Sequence, residues 1–266
     1  YSTGNLHITT RQNIQLHHVR LVDSPKVWES LNEANVTLME ACGNTVRNIT
    51  ASAIAGIDPN EPFDVSPYVK AFFTHFLNNP IGNDMGRKIK IAFSSSDTDS
   101  AFTYFHDIGF IPKIRNENGI DKRGFKVVIG GGLGAQSLIA QTAYEFLPEE
   151  DILQFSEAII RVFDRYGERE KRFKARMKFL IKSIGLEKFL ELVEEEKKSI
   201  PKREIKLEKE EIFIPSENHK NDSELDDPNF LQWKRTNTFI QKQKNFFGVY
   251  IKIQLGNISS EKAREL

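Results

Sequence analysis

Cysteine is nearly absent from this sequence. Cys42 is the single cysteine among 266 residues, which excludes an internal disulfide framework and fits a reducing, cytoplasmic location. It also excludes a zinc or iron–sulfur site built from this chain's own cysteines, because such sites need several thiolate ligands. Cys42 itself is predicted to be a small buried residue beside a turn.

An excess of charge of either sign is also absent. The chain has 37 Lys and Arg against 37 Asp and Glu, so its formal net charge is zero. Proteins that bind nucleic acid or membrane surfaces broadly usually carry a clear positive excess, so any anion site here must be local. No apolar run approaches the roughly eighteen residues of a membrane span, and no secretory segment is visible. The chain begins at Tyr1 rather than Met and stops soon after a predicted strand, which suggests a fragment.

The remaining composition suits a globular protein, since 39% hydrophobic residues can form the core of one large or two modest domains. The patterns divide the chain into a first segment at 1–50, a central α+β domain at 51–198, a polar linker at 199–228 and an incomplete α+β unit at 229–266. The charge runs of the helical segments at 168–184 and 186–198 are interpreted as solvated helix surface.

Four local patterns predict where elements begin and end. Ser24 with Pro25, and Ser66 with Pro67, are typical of helix starts. Gly43 with Asn44 predicts a turn before another helix. Pro112 predicts the end of a strand, because proline cannot donate to a sheet ladder.

Residues 87–93 form a short basic stretch in which charged and apolar side chains alternate. Alternation places Ile89, Ile91 and Phe93 on one strand face, with Lys88 and Lys90 together on the other. Like charges on one sheet face cost stability unless an anion lies between them. The alternative is an edge strand whose lysines discourage aggregation.

A triple glycine at Gly130, Gly131 and Gly132 directly follows a predicted strand at residues 124–129. Consecutive glycines let a ligand approach the main chain closely. The alternatives are a flexible connection and a phosphate- or nucleotide-binding turn, although the dinucleotide fingerprint is not matched. His17 and His18 lack a third ligand for a metal, so His17 is interpreted as a hydrogen-bond donor to a carboxylate.

Five stretches, taken together and in this order, resemble the siroheme-dependent sulfite and nitrite reductases. They are residues 9–17, 42–49, 87–90, 107–112 and 124–134. The resemblance extends over this chain but covers only the front portion of a family member. It implies an α+β fold, with a ferredoxin-like half domain, a siroheme-binding α/β domain and the start of a second ferredoxin-like half at the C-terminus.

The resemblance also implies functional residues. Arg47, Lys88 and Lys90 correspond to the pocket that holds sulfite or nitrite on the siroheme iron and assists proton delivery. Siroheme-binding positions are assigned to Thr9, Arg11, Gln15, His17, Arg87, Gly130, Gly131 and Gly132. No metal ligand is assigned within the chain. The chemistry agrees, because siroheme carries many carboxylates and cleavage of S–O or N–O bonds needs protons and positive charge.

The departures from the family pattern limit what this chain could do alone. His7 stands where an arginine is expected, and the cysteines of the [4Fe-4S] cluster are expected beyond Leu266. The chain alone is therefore predicted to be inactive. Because both Lys88 and Lys90 are present, six-electron reduction of sulfite to sulfide is favoured over reduction of nitrite to ammonia.

The expected partners are a small anion substrate and an electron donor, either ferredoxin or a flavoprotein. Neither nucleic acid nor a membrane is expected as a partner. A non-enzymatic α+β protein with basic surface residues, or a phosphate- or nucleotide-binding module, remains the alternative of another class.

Overall fold

A computed structural model describes residues 1–77, 79–208 and 227–266. The residues group into two compact units: the first unit comprises residues 1–38 and 213–266, and the second unit comprises residues 39–212. The second unit is therefore inserted between the two chain segments of the first. Residues 209–226 of the predicted linker lie outside the described residues, and the predicted domain boundaries stay predictions.

Both units contain helices and strands. In chain order they are β1 (Asn5–Ile8), β2 (Ile14–Gln15), α1 (Ser24–Glu33), β3 (Thr50–Ala51), α2 (Ser66–Phe76), β4 (Ile91–Phe93), β5 (Ile108–Glu117), β6 (Ile120–Ile129), β7 (Gln141–Pro148), α3 (Ile152–Tyr166), α4 (Met177–Ile184), α5 (Leu186–Lys197), α6 (Pro228–Asn237), β8 (Thr238–Ile240), β9 (Phe247–Val249), β10 (Asn257–Ser259) and α7 (Ser260–Glu265). In the described part of the chain, no helix combines the length and the apolarity that crossing a membrane requires.

The second unit is built on a five-stranded sheet in the order β3-β4-β5-β6-β7. β3, β4 and β5 run parallel to one another, whereas β6 is antiparallel to both of its neighbours. The amino ends of β3, β4 and β5 and the carboxyl end of β6 therefore meet at one edge of the sheet. We call this edge, with the segments that carry Arg47, Lys90, Asp107 and Gly130, the basic edge.

Aromatic side chains fill the core of the second unit. Phe93 of β4 stacks on Phe110 of β5 with ring centroids 4.6 Å apart, and Phe72 of α2 meets both rings edge-on. Tyr68 and Phe76 of α2 are also buried, whereas Phe73 of the same helix is exposed. Burial of such side chains contributes roughly 1.5–3 kcal/mol each, so the strands and helices that flank the basic edge are held by a continuous core.

The first unit contains a three-stranded sheet in the order β10-β1-β2 and a separate hairpin, β8 with β9. Leu6 of β1 pairs with Ile258 of β10, so the two chain segments of this unit join in one sheet. The hairpin and α6 agree with the α+β unit predicted at 229–266. Val27 is the single buried hydrophobic side chain of this unit in the ranges that the structure describes.

The mixed sheets and helices confirm the predicted α+β class. The predicted helix starts are confirmed in α1 and α2, which both have proline in their first turn. The helix predicted after Gly43 is wrong. Val46 instead forms a parallel bridge with Ile89, because pairing with the segment before β4 overrides the local turn signal.

Three further expectations are corrected. β5 continues through Pro112 to Glu117, because β4 pairs with β5 only as far as Phe110, and a missing N–H is tolerated where a strand has one neighbour. Cys42 is exposed rather than buried. The edge-strand interpretation of the lysines is wrong, since β4 is paired on both sides.

Candidate anion-binding site

Hydrogen bonds on both sides fix the main chain around Lys88 and Lys90. The Ile89 N–H donates to the Thr45 carbonyl over 3.1 Å, and the Ile89 carbonyl accepts from the Arg47 N–H over 2.9 Å. The Lys90 carbonyl accepts from the N–H groups of residues 107 and 108. Ile89 is completely buried between the two lysines, which are only partly buried. Alternation along this fixed backbone therefore turns both ammonium groups away from the core.

Asp107 lies completely buried at the amino end of β5 and connects four segments of the basic edge. Its Oδ2 accepts from the Lys90 N–H over 2.9 Å. The Arg176 guanidinium donates to both carboxylate oxygens, over 2.8 and 2.7 Å from Nη2. The Asp107 carbonyl accepts from the Gly130 N–H over 2.9 Å. The side chain and the main-chain carbonyl of this one residue therefore link the lysine segment, the glycine turn and the start of α4.

Five cations gather at this edge; we call them the basic cluster. They are Arg47, Arg87, Lys88, Arg172 and Arg176. Burial lowers the pKa of the Lys88 ammonium, and the positive charges of Arg47, Arg176 and Arg87 lower it further, while Asp107 opposes them. Burial likewise lowers the pKa of Arg87, with contributions from Arg172, Arg176 and Arg47. Mutual repulsion of this kind is relieved when an anion binds.

Two buried polar atoms beside the basic cluster make no hydrogen bond within the described residues. They are Nε of Arg87 and Oγ1 of Thr45. Unsatisfied buried polar groups cost about 1–3 kcal/mol each, so such atoms commonly mark a ligand position. A guanidinium N–H and a hydroxyl both suit a carboxylate or an oxyanion. The residues present therefore fit a cofactor that carries several carboxylates.

Arg47 is anchored by main-chain carbonyls on either side of Cys42. Its Nε donates to the Gly43 carbonyl over 3.0 Å, and its Nη1 donates to the Ala41 carbonyl over 2.9 Å. Two donors are thereby used on the protein and the guanidinium plane is fixed. The remaining donors of the guanidinium fork can serve a ligand.

The glycine turn at residues 130–132 packs closely against the main chain of residues 104–106. A Cβ on Gly131 would lie 2.2 Å from the Tyr104 carbonyl oxygen and 2.7 Å from that of His106. Gly131 donates its N–H to the His106 carbonyl, and Gly132 donates to the Leu138 carbonyl, both over 2.9 Å. Since Gly130 also donates to a protein carbonyl, this turn does not present its N–H groups as a phosphate cradle.

Lys178 of α4 holds the loop that follows the glycine turn. It is only 4% exposed, and its ammonium donates to the carbonyls of Gly132, Leu133 and Gln136 over 3.0, 3.3 and 2.5 Å. Burial lowers its pKa, and Arg176 lowers it further. This lysine therefore has a structural partner set and is not one of the basic cluster.

The first unit places its four predicted cofactor-binding residues on or next to the β1–β2 hairpin. The Thr9 hydroxyl accepts from the N–H groups of Arg11 and Asn13 over 3.3 and 3.1 Å, which shapes the turn. Gln15 is exposed on β2 opposite His7. His17 is also exposed, and its ring lies 5.7 Å from that of His7. The structure thus brings these residues together within this unit.

Sequence reasoning missed Asp107, Arg172 and Arg176 as parts of the basic edge. The charge run that contains Arg176 and Lys178 was interpreted as solvated surface, which is wrong for both side chains. Residues 107–112 did carry a signal for Asp107. A carboxylate directly before an apolar strand needs a partner when it is buried. Nothing in the local pattern names Arg176 as that partner, because the two residues are far apart in the chain.

A metal ion needs several ligand side chains close together. Across the described ranges, no group of three or more His, Cys, Asp or Glu side chains is arranged to hold a metal ion. One exposed cysteine does not supply the set of thiolates that a [4Fe-4S] cluster requires.

Two family models match this chain. The family described as "Nitrite and sulphite reductase 4Fe-4S domain" matches residues 42–201, and "Nitrite/Sulfite reductase ferredoxin-like half domain" matches residues 1–34. The chain belongs to the nitrite and sulfite reductase family.

Individual relatives carry both substrate names. The chain is 36% identical to "Sulfite reductase [ferredoxin] 1" of Mycolicibacterium paratuberculosis over 71% of its length and 33% of that protein. It is 31% identical to the "Assimilatory ferredoxin-dependent nitrite reductase" of Haloferax mediterranei over 74% of its length and 34% of that protein. It thus spans about a third of the length of these curated relatives.

A solved structure extends the likeness to nearly the whole chain. "Structure of Mycobacterium tuberculosis NirA protein" superposes with a TM-score of 0.76 at 26% identity and covers 98% of this chain and 43% of that one. Together with the half-domain match, this confirms the predicted ferredoxin-like component of the fold.

Proposed function

We propose that this chain supplies the anion-binding residues, and siroheme-binding residues, of an assimilatory reductase that converts sulfite to sulfide in a six-electron reaction. The observation that carries the proposal is the basic cluster, in which five cations gather at one sheet edge and the buried Asp107 carboxylate pairs directly with one of them, Arg176. A dianionic substrate and a cofactor rich in carboxylates would both relieve this repulsion. Membership of the family supports the same chemistry.

Arg47, Lys88 and Lys90 are proposed to bind the oxyanion and to assist proton delivery. A fixed guanidinium and two adjacent ammonium groups stabilise the negative charge that develops as each S–O bond breaks. Lys88 has a lowered pKa because it is partly buried among other cations, so it gives up a proton more readily than a solvated lysine does. Siroheme, when bound, would supply the iron site and would pass on the electrons that the electron donor provides.

The cofactor carboxylates are proposed to be bound by Arg87 in the second unit, whose Nε is the unsatisfied buried donor. In the first unit the corresponding proposal names Thr9, Arg11, Gln15 and His17. The main chain of Gly130, Gly131 and Gly132 in the second unit is proposed to lie close to the cofactor without donating to its carboxylates, because all three N–H groups already donate to protein carbonyls. Arg and neutral amide or imidazole donors suit carboxylates, and the guanidinium binds them in a bidentate manner.

The electron donor is proposed to be a ferredoxin, because the names of both relatives described above contain ferredoxin. A flavoprotein donor is the alternative. The [4Fe-4S] cluster that the family description names is proposed to take its cysteines from outside these residues, and the chain alone is proposed to be inactive. The reducing, cytoplasmic location inferred from the single cysteine remains a prediction.

Sulfite is proposed in preference to nitrite on electrostatic grounds. Sulfite is largely doubly charged near neutral pH and nitrite is singly charged, so each additional cation favours sulfite more. The basic cluster supplies more cations than the lysine pair alone. Reduction of nitrite to ammonia is the second candidate, and the name of the Haloferax relative favours it.

Charge reversal of the lysine pair tests the proposal. In the full-length protein, Lys88→Glu/Lys90→Glu is expected to lower sulfite-dependent electron uptake by about a hundredfold or more, because removing a transition-state donor typically has that effect. The matched control, Lys182→Glu/Lys206→Glu, changes two exposed lysines of the same unit and should leave uptake near the parent rate. Undiminished uptake by the first variant would refute the assignment.

A further inference from the structure

Asp107 has more contacts in the basic edge than its position before a strand requires. Its side chain accepts from the Lys90 main chain and from Arg176, and its own main-chain groups bond Lys90 and Gly130. A buried ion pair is stable only when further hydrogen bonds satisfy the remaining lone pairs of the carboxylate. For Asp107 one such bond comes from the Lys90 main chain, so the residue that pairs with Arg176 also fixes the lysine segment.

We propose that Asp107 is the positioning residue of the anion site: it fixes the main chain at Lys90 and supplies the negative charge that keeps Lys88 protonated among its cationic neighbours. This inference rests on the proposed function for its catalytic meaning, but the geometry that it invokes lies wholly within the second unit. Asp107 does not touch the substrate; it acts through the two lysines.

The positioning part follows from the hydrogen bonds. The Lys90 N–H donates to Oδ2 of Asp107, and the Lys90 carbonyl accepts from the Asp107 N–H over 3.1 Å. Asp107, at the amino end of β5, thus bonds both the N–H and the carbonyl of Lys90. Ile89 is buried on the other side of the segment. Together with the bonds from Thr45 and Arg47, Asp107 therefore fixes the direction in which Lys88 and Lys90 project.

The electrostatic part follows from the groups that face Lys88. Arg47 faces it from the segment before β3, Arg87 from its own segment and Arg176 from the start of α4, and all three disfavour its charged form. Asp107 is the group that acts in the opposite direction. Without this carboxylate, Lys88 would lose its proton at a lower pH and would no longer carry the charge that the substrate needs.

The test uses Asp107→Asn in the full-length protein, because asparagine keeps an oxygen for the Lys90 N–H and removes the charge. Acylation of Lys88 is measured by mass spectrometry of peptides as a function of pH, which requires no turnover and no cofactor. The pH of half-maximal labelling should move lower, and the Lys90 amide should exchange several-fold faster, since a charge-assisted hydrogen bond is replaced by a neutral one. Asp97→Asn is the matched control, because Asp97 is exposed and pairs with Lys113.

A double variant keeps the test informative if Asp107→Asn fails to fold with Arg176 left unpaired. Asp107→Asn/Arg176→Gln removes both charges, which is better tolerated in a buried pair than the loss of one. The labelling pH of Lys88 should then return toward that of the parent, because an opposing cation is lost as well. A labelling profile unchanged in the folded single variant, or one that fails to recover in the double variant, would overturn the inference.

Measuring sulfite reduction distinguishes a failure of this inference from a failure of the proposed function. If the parent reduces sulfite, Asp107→Asn should lower kcat about tenfold and raise the KM for sulfite at alkaline pH, because Lys88 there loses both the proton that it donates and the charge that binds the anion. If the parent does not reduce sulfite, the proposed function fails, yet the labelling of Lys88 still decides whether Asp107 sets its charge. An unchanged kcat in a folded variant of an active parent contradicts the positioning role alone.

Discussion

Lys88 and Lys90 are separated by one completely buried isoleucine, and that spacing defines the chemistry of the basic edge. Arg47 joins them from the segment that pairs with Ile89. Each of these cations would be unremarkable on a solvated surface. Their partial burial and mutual repulsion make the site receptive to an anion.

Substrate preference is predicted to depend on the second lysine. Lys90→Asn removes one positive charge from the anion site, which weakens binding of a dianion more than of a monoanion. The ratio of kcat/KM for sulfite to kcat/KM for nitrite should fall by about tenfold, corresponding to roughly 1.4 kcal/mol. The ratio is measured with both anions under one artificial reductant. Lys182→Asn, an exposed lysine of α4, is the control, and an unchanged ratio in Lys90→Asn would contradict the electrostatic argument.

The central glycine of the turn is predicted to be irreplaceable for steric reasons. In Gly131→Ala the new Cβ would lie 2.2 Å from a main-chain oxygen, so the free energy of unfolding should fall by about 3 kcal/mol. Gly134→Ala meets no atom within 4 Å but has a φ of +118°, and it should lose only about 1 kcal/mol. Urea unfolding of both variants checks the difference. Equal losses would show that the turn is not packed as described.

At the scale of elements, charged side chains join the helices of the second unit. His75 of α2 lies 3.1 Å from the Glu157 carboxylate of α3, and Arg161 donates to the other Glu157 oxygen over 2.7 Å. Arg165 of α3 reaches Glu196 of α5 over 2.8 Å. Glu157 is almost completely buried, so its partners are needed to compensate for desolvation.

The His75 contact predicts a specific pH dependence of stability. Burial lowers the pKa of His75 below its ordinary value of 6.5, and the nearby Glu157 only partly opposes this. The unfolded chain therefore binds the proton more tightly, so stability is complete above pH 6.5 and is lost as the pH falls toward the folded-state pKa.

The measurement is the free energy of urea unfolding between about pH 7.5 and 5.5. His75→Gln should flatten the decline, whereas the exposed-residue control His18→Gln should leave it unchanged. A decline of the same steepness in His75→Gln would exclude His75 as its source.

The sequence predicted helices and strands correctly where the pattern was local. It failed where pairing with a distant segment determined the structure. The starts of α1 and α2 were predicted because a serine followed by proline is typical of a first helical turn. The segment after Gly43 was assigned to a helix, but Val46 pairs with a residue more than forty positions away. The lysine pair was found from alternation, whereas Arg176 could not be connected with Asp107 without the fold. Cofactor-binding and catalytic assignments came from the family resemblance and stay predictions.

At the scale of the molecule, the chain order predicts that the second unit can fold without the first unit. The second unit is one continuous segment and contains nearly every buried hydrophobic side chain of the described ranges. The first unit is assembled from both chain segments and buries Val27 as its single hydrophobic core residue in those ranges. Residues 39–212 alone should therefore unfold in one cooperative urea transition with parent-like near-ultraviolet circular dichroism.

Removal of residues 257–266 provides the matching comparison for the first unit. The deletion takes away β10, which pairs with Asn5, Leu6 and His7 of β1. Amide exchange should accelerate in β1 and remain unchanged in β5 and β6, because the second unit does not depend on this sheet. Faster exchange throughout both units would contradict the division of the chain.

The visible absorption spectrum of the natively purified full-length protein tests the central claim most directly. If residues of this chain form the anion site of a siroheme reductase, siroheme bands should be present and should shift when sulfite or cyanide is added. Lys88→Glu/Lys90→Glu should retain the bands and lose most of the shift produced by sulfite, because the lysines bind the anion rather than the cofactor. A folded parent protein without siroheme bands, or bands that do not respond to either anion, would contradict the account.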